Sequence, residues 1–103
     1  MRNKFIEVLV EEAKNNDKIV LIIGDLGYSV VEPFQEQFPD RFFNVGIAEQ
    51  NLIGVSAGLA ASGKIPFASS FAMFAAGRAY EIIRNSVAYP RLNVKIAATH
   101  AGL

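Results

Sequence analysis

The residues able to do chemistry in this sequence are few, and they fall at recurring places. Asp25 stands in IIGDLG, Glu49 in FFNVGIAEQN, Ser69, Ser70 and Phe71 in IPFASSF, and Thr99 with His100, the only histidine, in KIAATH. Each group follows a short apolar run. Each also has a purely structural reading. Glu49, where an apolar strand gives way to an almost uncharged helix, could do no more than offset the helix dipole, an effect of about 0.3–1 kcal/mol. Asp25 between glycines suits a turn or a cap. His100 at a strand end suits a hydrogen-bonded surface or core position, and Phe71, Phe74 and Tyr80 suit a core. The Ser69–Ser70 pair has no nucleophile elbow and no histidine in a triad pattern, which argues against a serine hydrolase. GDLGYS lacks the glycine spacing of a dinucleotide fingerprint, and no phosphate loop with a Gly-Lys-Ser/Thr ending occurs.

The elements that must position these residues are legible in the apolar periodicity. Phe5, Val8, Leu9 and Ala13 recur at helical spacing with Glu7, Glu11, Glu12 and Lys14 mostly opposite them, which predicts a first helix ended by Asn15, Asn16 and Asp17. Ile19 to Ile23 reads as a strand buried on both faces, closed by Gly24 and Gly27. Pro33 opens a short helix that ends before Pro39. Phe42 to Val45 is a second strand. Ala48 to Ser62 follows as a helix with no charge after Glu49, and its Gly54, Ala57, Gly58 and Ala61 form a face of small residues that lets another backbone approach. A helix apolar all round is expected to be buried. Residues 65–70 supply a third strand, residues 73–89 a helix with Arg78, Glu81 and Arg84 on its polar side, and Asn93 to Ala98 a fourth strand.

This alternation predicts an α/β fold, a parallel sheet with helices on both faces and right-handed crossovers. Ligands of such sheets sit outside the carboxyl ends of the strands, where every candidate above falls. The last strand has no helix behind it. The chain is therefore expected to be a single domain over residues 1–103, partial at its C-terminus or completed by another chain.

Composition narrows the function further. Hydrophobic residues make up 51% of the 103 and charged residues 19%, more apolar surface than one small domain readily buries. Ten basic and ten acidic residues cancel, and no basic stripe forms, which excludes the electrostatic footprint of a nucleic-acid binder. The absence of cysteine removes disulfides and thiolate metal sites, and fits the cytoplasm. Glu7, Glu11 and Glu12 interrupt any signal peptide, and the longest strongly apolar run, Ile19 to Ile23, is too short for a membrane-spanning helix, so a soluble protein is expected.

At VGIAEQN, SSFAMFAAGRAYEIIR and KIAATHAGL the chain resembles the pyrimidine-binding domain of the transketolase family of thiamine diphosphate enzymes, from its first helix to its last residue. GIAEQ is shared with 1-deoxy-D-xylulose-5-phosphate synthase, whereas ATH at residues 98–100 is similar to transketolase, and the nearest likeness is to the C-terminal subunit of two-chain transketolases. The resemblance implies a thiamine diphosphate-binding fold in which Glu49 hydrogen-bonds N1′ of the aminopyrimidine. Burial disfavours the charged form of a carboxyl group while a helix N-terminus favours it, so a proton can be shared with the ring nitrogen. The cofactor then carries out the carbon chemistry. Phe71 and Phe74 are implied to surround the pyrimidine, with Gly77 where many members place a tyrosine. Asp25 is implied to lie near the thiazolium and donor sugar, and His100 to contact the substrate or its intermediate.

The family's Gly-Asp-Gly to Asn motif, which holds Mg²⁺ and the diphosphate, does not occur here. The resemblance therefore implies a chain that binds no metal itself and is inactive alone. With a diphosphate-binding subunit or domain, in a homo- or hetero-oligomer, it would help transfer a two-carbon ketol unit between sugar phosphates. Two other readings stand beside this one. The chain could be a fragment of the synthase, or a non-catalytic, flavodoxin-like interaction module that docks through its apolar face.

Overall fold

A computed structural model describing residues 1–27 and 29–102 places β1 at Ile19–Ile23, buried along its whole length. Leu103, the last residue of KIAATHAGL, lies outside the described residues. Around β1 the chain runs α1 (Arg2–Asn15), β1, α2 (Glu32–Gln37), a 3₁₀ turn (Pro39–Arg41), β2 (Phe42–Asn44), α3 (Glu49–Ala61), β3 (Ile65–Ser69), α4 (Ala72–Arg78), α5 (Tyr80–Ile82) with a π-helical turn (Ile83–Ala88), and β4 (Lys95–Ile96). The four strands form one parallel sheet in the order β2-β1-β3-β4. The register pairs Leu21 with Phe42, Ile19 with Ile65 and Phe67 with Lys95.

The order explains the burial of β1. Its alternating side chains serve two cores: Ile19, Leu21 and Ile23 meet Ile6, Leu9, Val10 and Ala13 of α1 and Phe34 of α2, while Val20 and Ile22 meet Leu52, Ile53 and Ala57 of α3 with Ala68, Ala79 and Val87. Helices thus cover both faces. Each fully buried Leu or Ile contributes about 1.5–3 kcal/mol, so the α-then-β periodicity of the sequence is also the main source of stability. Arg41 closes the first layer. Its guanidinium donates to the carbonyls of Ala13 and Asn16, both at 3.0 Å, satisfying the orphaned C-terminal end of α1, and it lies 4.1 Å above the Phe38 ring.

Three expectations are modified. The helix expected over residues 73–89 breaks at Ala79 (φ −103°, ψ 14°), and residues 83–88 widen into a π-helix. Gly77, the weakest helix former in the segment, stands two residues before the break. The fourth strand shrinks to Lys95 and Ile96, both exposed at the sheet edge, where short strands are usual. Pairing resumes only at the Phe71–Thr99 bridge. Finally, α3 is not buried all round: Leu52, Ile53, Ser56 and Ala57 face the sheet, whereas Gly54, Gly58 and Ala61 are exposed. Ala57 therefore leaves the small-residue face expected for it. Among the described residues, no helix is long and apolar enough to cross a membrane.

Candidate functional site

Strand order reverses between β1 and β3, so the crevice at their carboxyl ends is where an open α/β sheet binds ligands. The turn after β1 carries Gly24 and Asp25, the loop after β2 leads into Glu49, the end of β3 presents Ser69, Ser70 and Phe71, and the segment after β4 brings in Thr99 and His100.

Glu49 opens α3 and is buried to 3% exposure. The loop before it is set by Gly46, whose φ of 82° suits glycine, and by a short Ala48 N–H to Gly46 carbonyl bond of 2.8 Å. No side chain caps α3 at Ala48, so the Glu49 carboxylate is the only acidic group in the first turn to meet the positive end of the helix. Gly24 packs beside it: a Cβ there would stand 3.7 Å from Glu49 Oε2 and 3.4 Å from the Gly46 carbonyl. The other oxygen, Oε1, accepts a hydrogen bond from Arg78 Nη1 at 3.1 Å. That guanidinium also lies 4.6 Å from the centre of the Phe74 ring. Ile47, Ala48, Glu49, Gln50, Asn51 and Arg78 line an open depression of about 430 Å³.

From Phe74 the aromatic row continues. Phe71 is 6.0 Å from Phe74 and 4.3 Å from the His100 ring, centre to centre. Backbone bonds fix this row, since Thr99 N–H donates to the Ser70 carbonyl at 3.2 Å and Ala72 N–H donates to the Thr99 carbonyl at 2.7 Å. Thr99 Oγ1 lies 2.9 Å from His100 Nδ1. His100 itself has φ 60°, a conformation that non-glycine residues seldom adopt outside turns and sites. Ser70 is buried, and its Oγ has no hydrogen-bond partner among the described residues. It lines a cavity of about 30 Å³ with Ser69, Phe71 and Thr99, enough for one water-sized polar group.

Asp25 joins from the other side. Its φ is 61°, and Asn44 ties it to β2 by accepting from Asp25 N–H at 3.0 Å and donating to Asp25 Oδ1 at 3.1 Å. The fold therefore gathers Asp25, Glu49, Phe71, Phe74 and His100 at one edge. Three further residues organise that edge without having stood out in the sequence. Arg78 reads there only as part of a polar helix side, and Asn44 and Gln50, whose Nε2 donates to the Arg78 carbonyl at 3.3 Å, read as ordinary polar positions. Among the described residues no group of three or more His, Cys, Asp or Glu side chains is arranged to hold a metal ion.

Comparison with known proteins gives a consistent result. The family described as transketolase, pyrimidine binding domain, matches residues 1–103. A Methanocaldococcus jannaschii protein assigned as a transketolase C-terminal section is 59% identical over 104 residues, covering 100% of this chain and 33% of that protein. A 6-deoxy-6-sulfo-D-fructose transketolase subunit of Clostridium sp. (strain MSTE9) is 45% identical, covering 100% of this chain and 32% of that one. A 1-deoxy-D-xylulose-5-phosphate synthase of Clostridium perfringens is 40% identical, covering 96% of the chain and 16% of the synthase. Among solved structures, a split-gene transketolase described as an inactive β4 tetramer superposes with a TM-score of 0.89 at 62% identity, over 96% of this chain and 33% of that one. The chain thus spans about a third of the length of the transketolase relatives it matches.

Proposed function

We propose, from the premise that this chain belongs to the transketolase pyrimidine-binding domain family, that it supplies the aminopyrimidine-binding wall of a two-chain, thiamine diphosphate-dependent transketolase. Proteins of that family depend on thiamine diphosphate. The observation that carries the reading is Glu49, a carboxylate buried to 3% exposure at a helix start, on the lining of an open depression and linked through Arg78 to the Phe74 ring.

The donor set fits the pyrimidine end of the cofactor. A planar heteroaromatic with a protonated ring nitrogen needs an in-plane carboxylate and a flat apolar face, and Glu49 with Phe74 and Phe71 offers both. When bound, the cofactor supplies the nucleophilic carbon that carries the two-carbon unit. Glu49 would hold the proton shared with the ring nitrogen, Phe71 and Phe74 would fix the ring plane and exclude water, and Asp25 and His100 would face the thiazolium side and the sugar phosphate. The diphosphate and its Mg²⁺ would belong to a partner subunit. The exposed apolar and small residues Ile47, Gly54, Gly58, Met73 and Tyr80 supply a surface for such a partner. The synthase reading is less favoured, because the matching relatives of which this chain forms a third are transketolase sections.

The test is Glu49→Gln in the full protein that carries this sequence, assembled with its diphosphate-binding partner. Ketol transfer between sugar phosphates is expected to fall by about 10²-fold or more, with weaker thiamine diphosphate binding by calorimetry. Undiminished turnover in the glutamine variant would remove Glu49 from the mechanism.

A further inference from the structure

The Arg78 side chain bridges Glu49 and the Phe74 ring. Its guanidinium is planar and carries N–H donors in its plane. One of them reaches Glu49 Oε1 at 3.1 Å, and the group's central carbon lies 4.6 Å from the centre of Phe74. A protonated aminopyrimidine would make the same pair of contacts, an in-plane N–H to the carboxylate and a face on the aromatic ring. Two planar groups cannot share that face of Phe74. We propose that Arg78 is a displaceable plug: in the ligand-free subunit it stands in for the protonated pyrimidine on Glu49 and Phe74, and the cofactor turns it out into solvent. This inference rests on the role proposed above for Glu49.

Three features make Arg78, and not Glu49, the moving partner. The Glu49 side chain is 2% exposed and the Arg78 side chain 58%, so withdrawing the guanidinium into water needs little desolvation, whereas the carboxylate has nowhere to go. Arg78 ends α4 at the break before Ala79, while Gln50 anchors its carbonyl. The side chain can therefore change rotamer while the backbone stays in place. A buried carboxylate left without a partner is strongly unfavourable, and Arg78 supplies that partner until the ligand arrives. The plug also screens the site, because only a ligand that restores both the hydrogen bond and the stacked face can replace it without loss.

The experiment uses the full protein assembled with its diphosphate-binding partner and titrated with thiamine diphosphate and Mg²⁺ by isothermal calorimetry. Arg78→Ala is expected to tighten binding by about five-fold, the size of one half-exposed ion pair and one cation–π contact, while lowering the melting temperature of the ligand-free protein. Arg78→Gln, which keeps a neutral donor, should tighten it less and serves if the alanine variant fails to assemble. A second readout comes from thermal denaturation of the Glu49→Gln, Arg78→Ala double-mutant cycle. Coupling between the two sites is expected without cofactor and should vanish at saturation. Unchanged or weaker binding in both Arg78 variants, or coupling that persists at saturation, overturns the plug. If Glu49→Gln still weakens binding in that case, the assignment of Glu49 survives; if Glu49→Gln binds as tightly as wild type, that assignment fails and the plug with it.

Discussion

Asn44 accepts hydrogen bonds through Oδ1 from the backbone N–H groups of Asp25 at 3.0 Å and Gly46 at 2.9 Å, and returns one through Nδ2 to Asp25 Oδ1 at 3.1 Å. One exposed amide thereby joins the turn after β1 to the loop before Glu49, both of which contain left-handed residues, Asp25 at φ 61° and Gly46 at φ 82°. Asn44→Ala removes all three bonds. The expected loss of unfolding free energy is about 1–2 kcal/mol, small for three bonds because water can replace them at an exposed position, and denaturant titration would measure it. A loss below a few tenths would mean that the two turns hold their shape without the amide. Glu49 is conspicuous in the sequence because it is the last charge before a long uncharged helix. Asn44 and Arg78 are not, because their partners lie 19 and 29 residues away, and local spacing carries no information about which loops meet at the end of a sheet.

At the level of elements, α3 presents Gly54 and Gly58 outward, and a Cβ added at either would meet nothing within 4 Å. Glycine in an exposed helix interior is unfavourable by about 0.8–1.0 kcal/mol relative to alanine, so packing within this chain does not account for these two residues. The partner proposed above would account for them through close approach of its backbone. Gly58→Ala should therefore raise the stability of the isolated chain by about 0.5–1 kcal/mol, while Gly58→Leu should leave the chain folded and block its assembly with a partner, measured by denaturation and by sedimentation respectively. Unimpaired assembly of the leucine variant would move the interface elsewhere. The helices and the first three strands follow from apolar periodicity because each buries a regular stripe or both faces. Two elements escaped it: the break at Ala79, whose side chain is wholly buried in the second core, and the short β4, which pairs with β3 alone among the described strands.

For the molecule as a whole, the parallel order β2-β1-β3-β4 gathers Asp25, Glu49, Phe71 and His100 at the carboxyl ends of the strands, a convergence that follows from topology and not from any single stretch of sequence. The edge so formed offers a carboxylate and aromatic faces, the chemistry of a heteroaromatic ring and not of a diphosphate. The proposed division of labour follows: this chain reads the pyrimidine, and a partner holds the diphosphate with its Mg²⁺. Ligand that binds only the native assembly raises its stability by RT ln(1 + [L]/Kd), about 2.7 kcal/mol at a hundredfold excess over Kd. Thiamine diphosphate with Mg²⁺ should therefore raise the melting temperature of the full protein assembled with its partner, and should leave that of the same protein without the partner unchanged. Equal shifts in the two samples would place the diphosphate on this polypeptide and end the argument for a shared site.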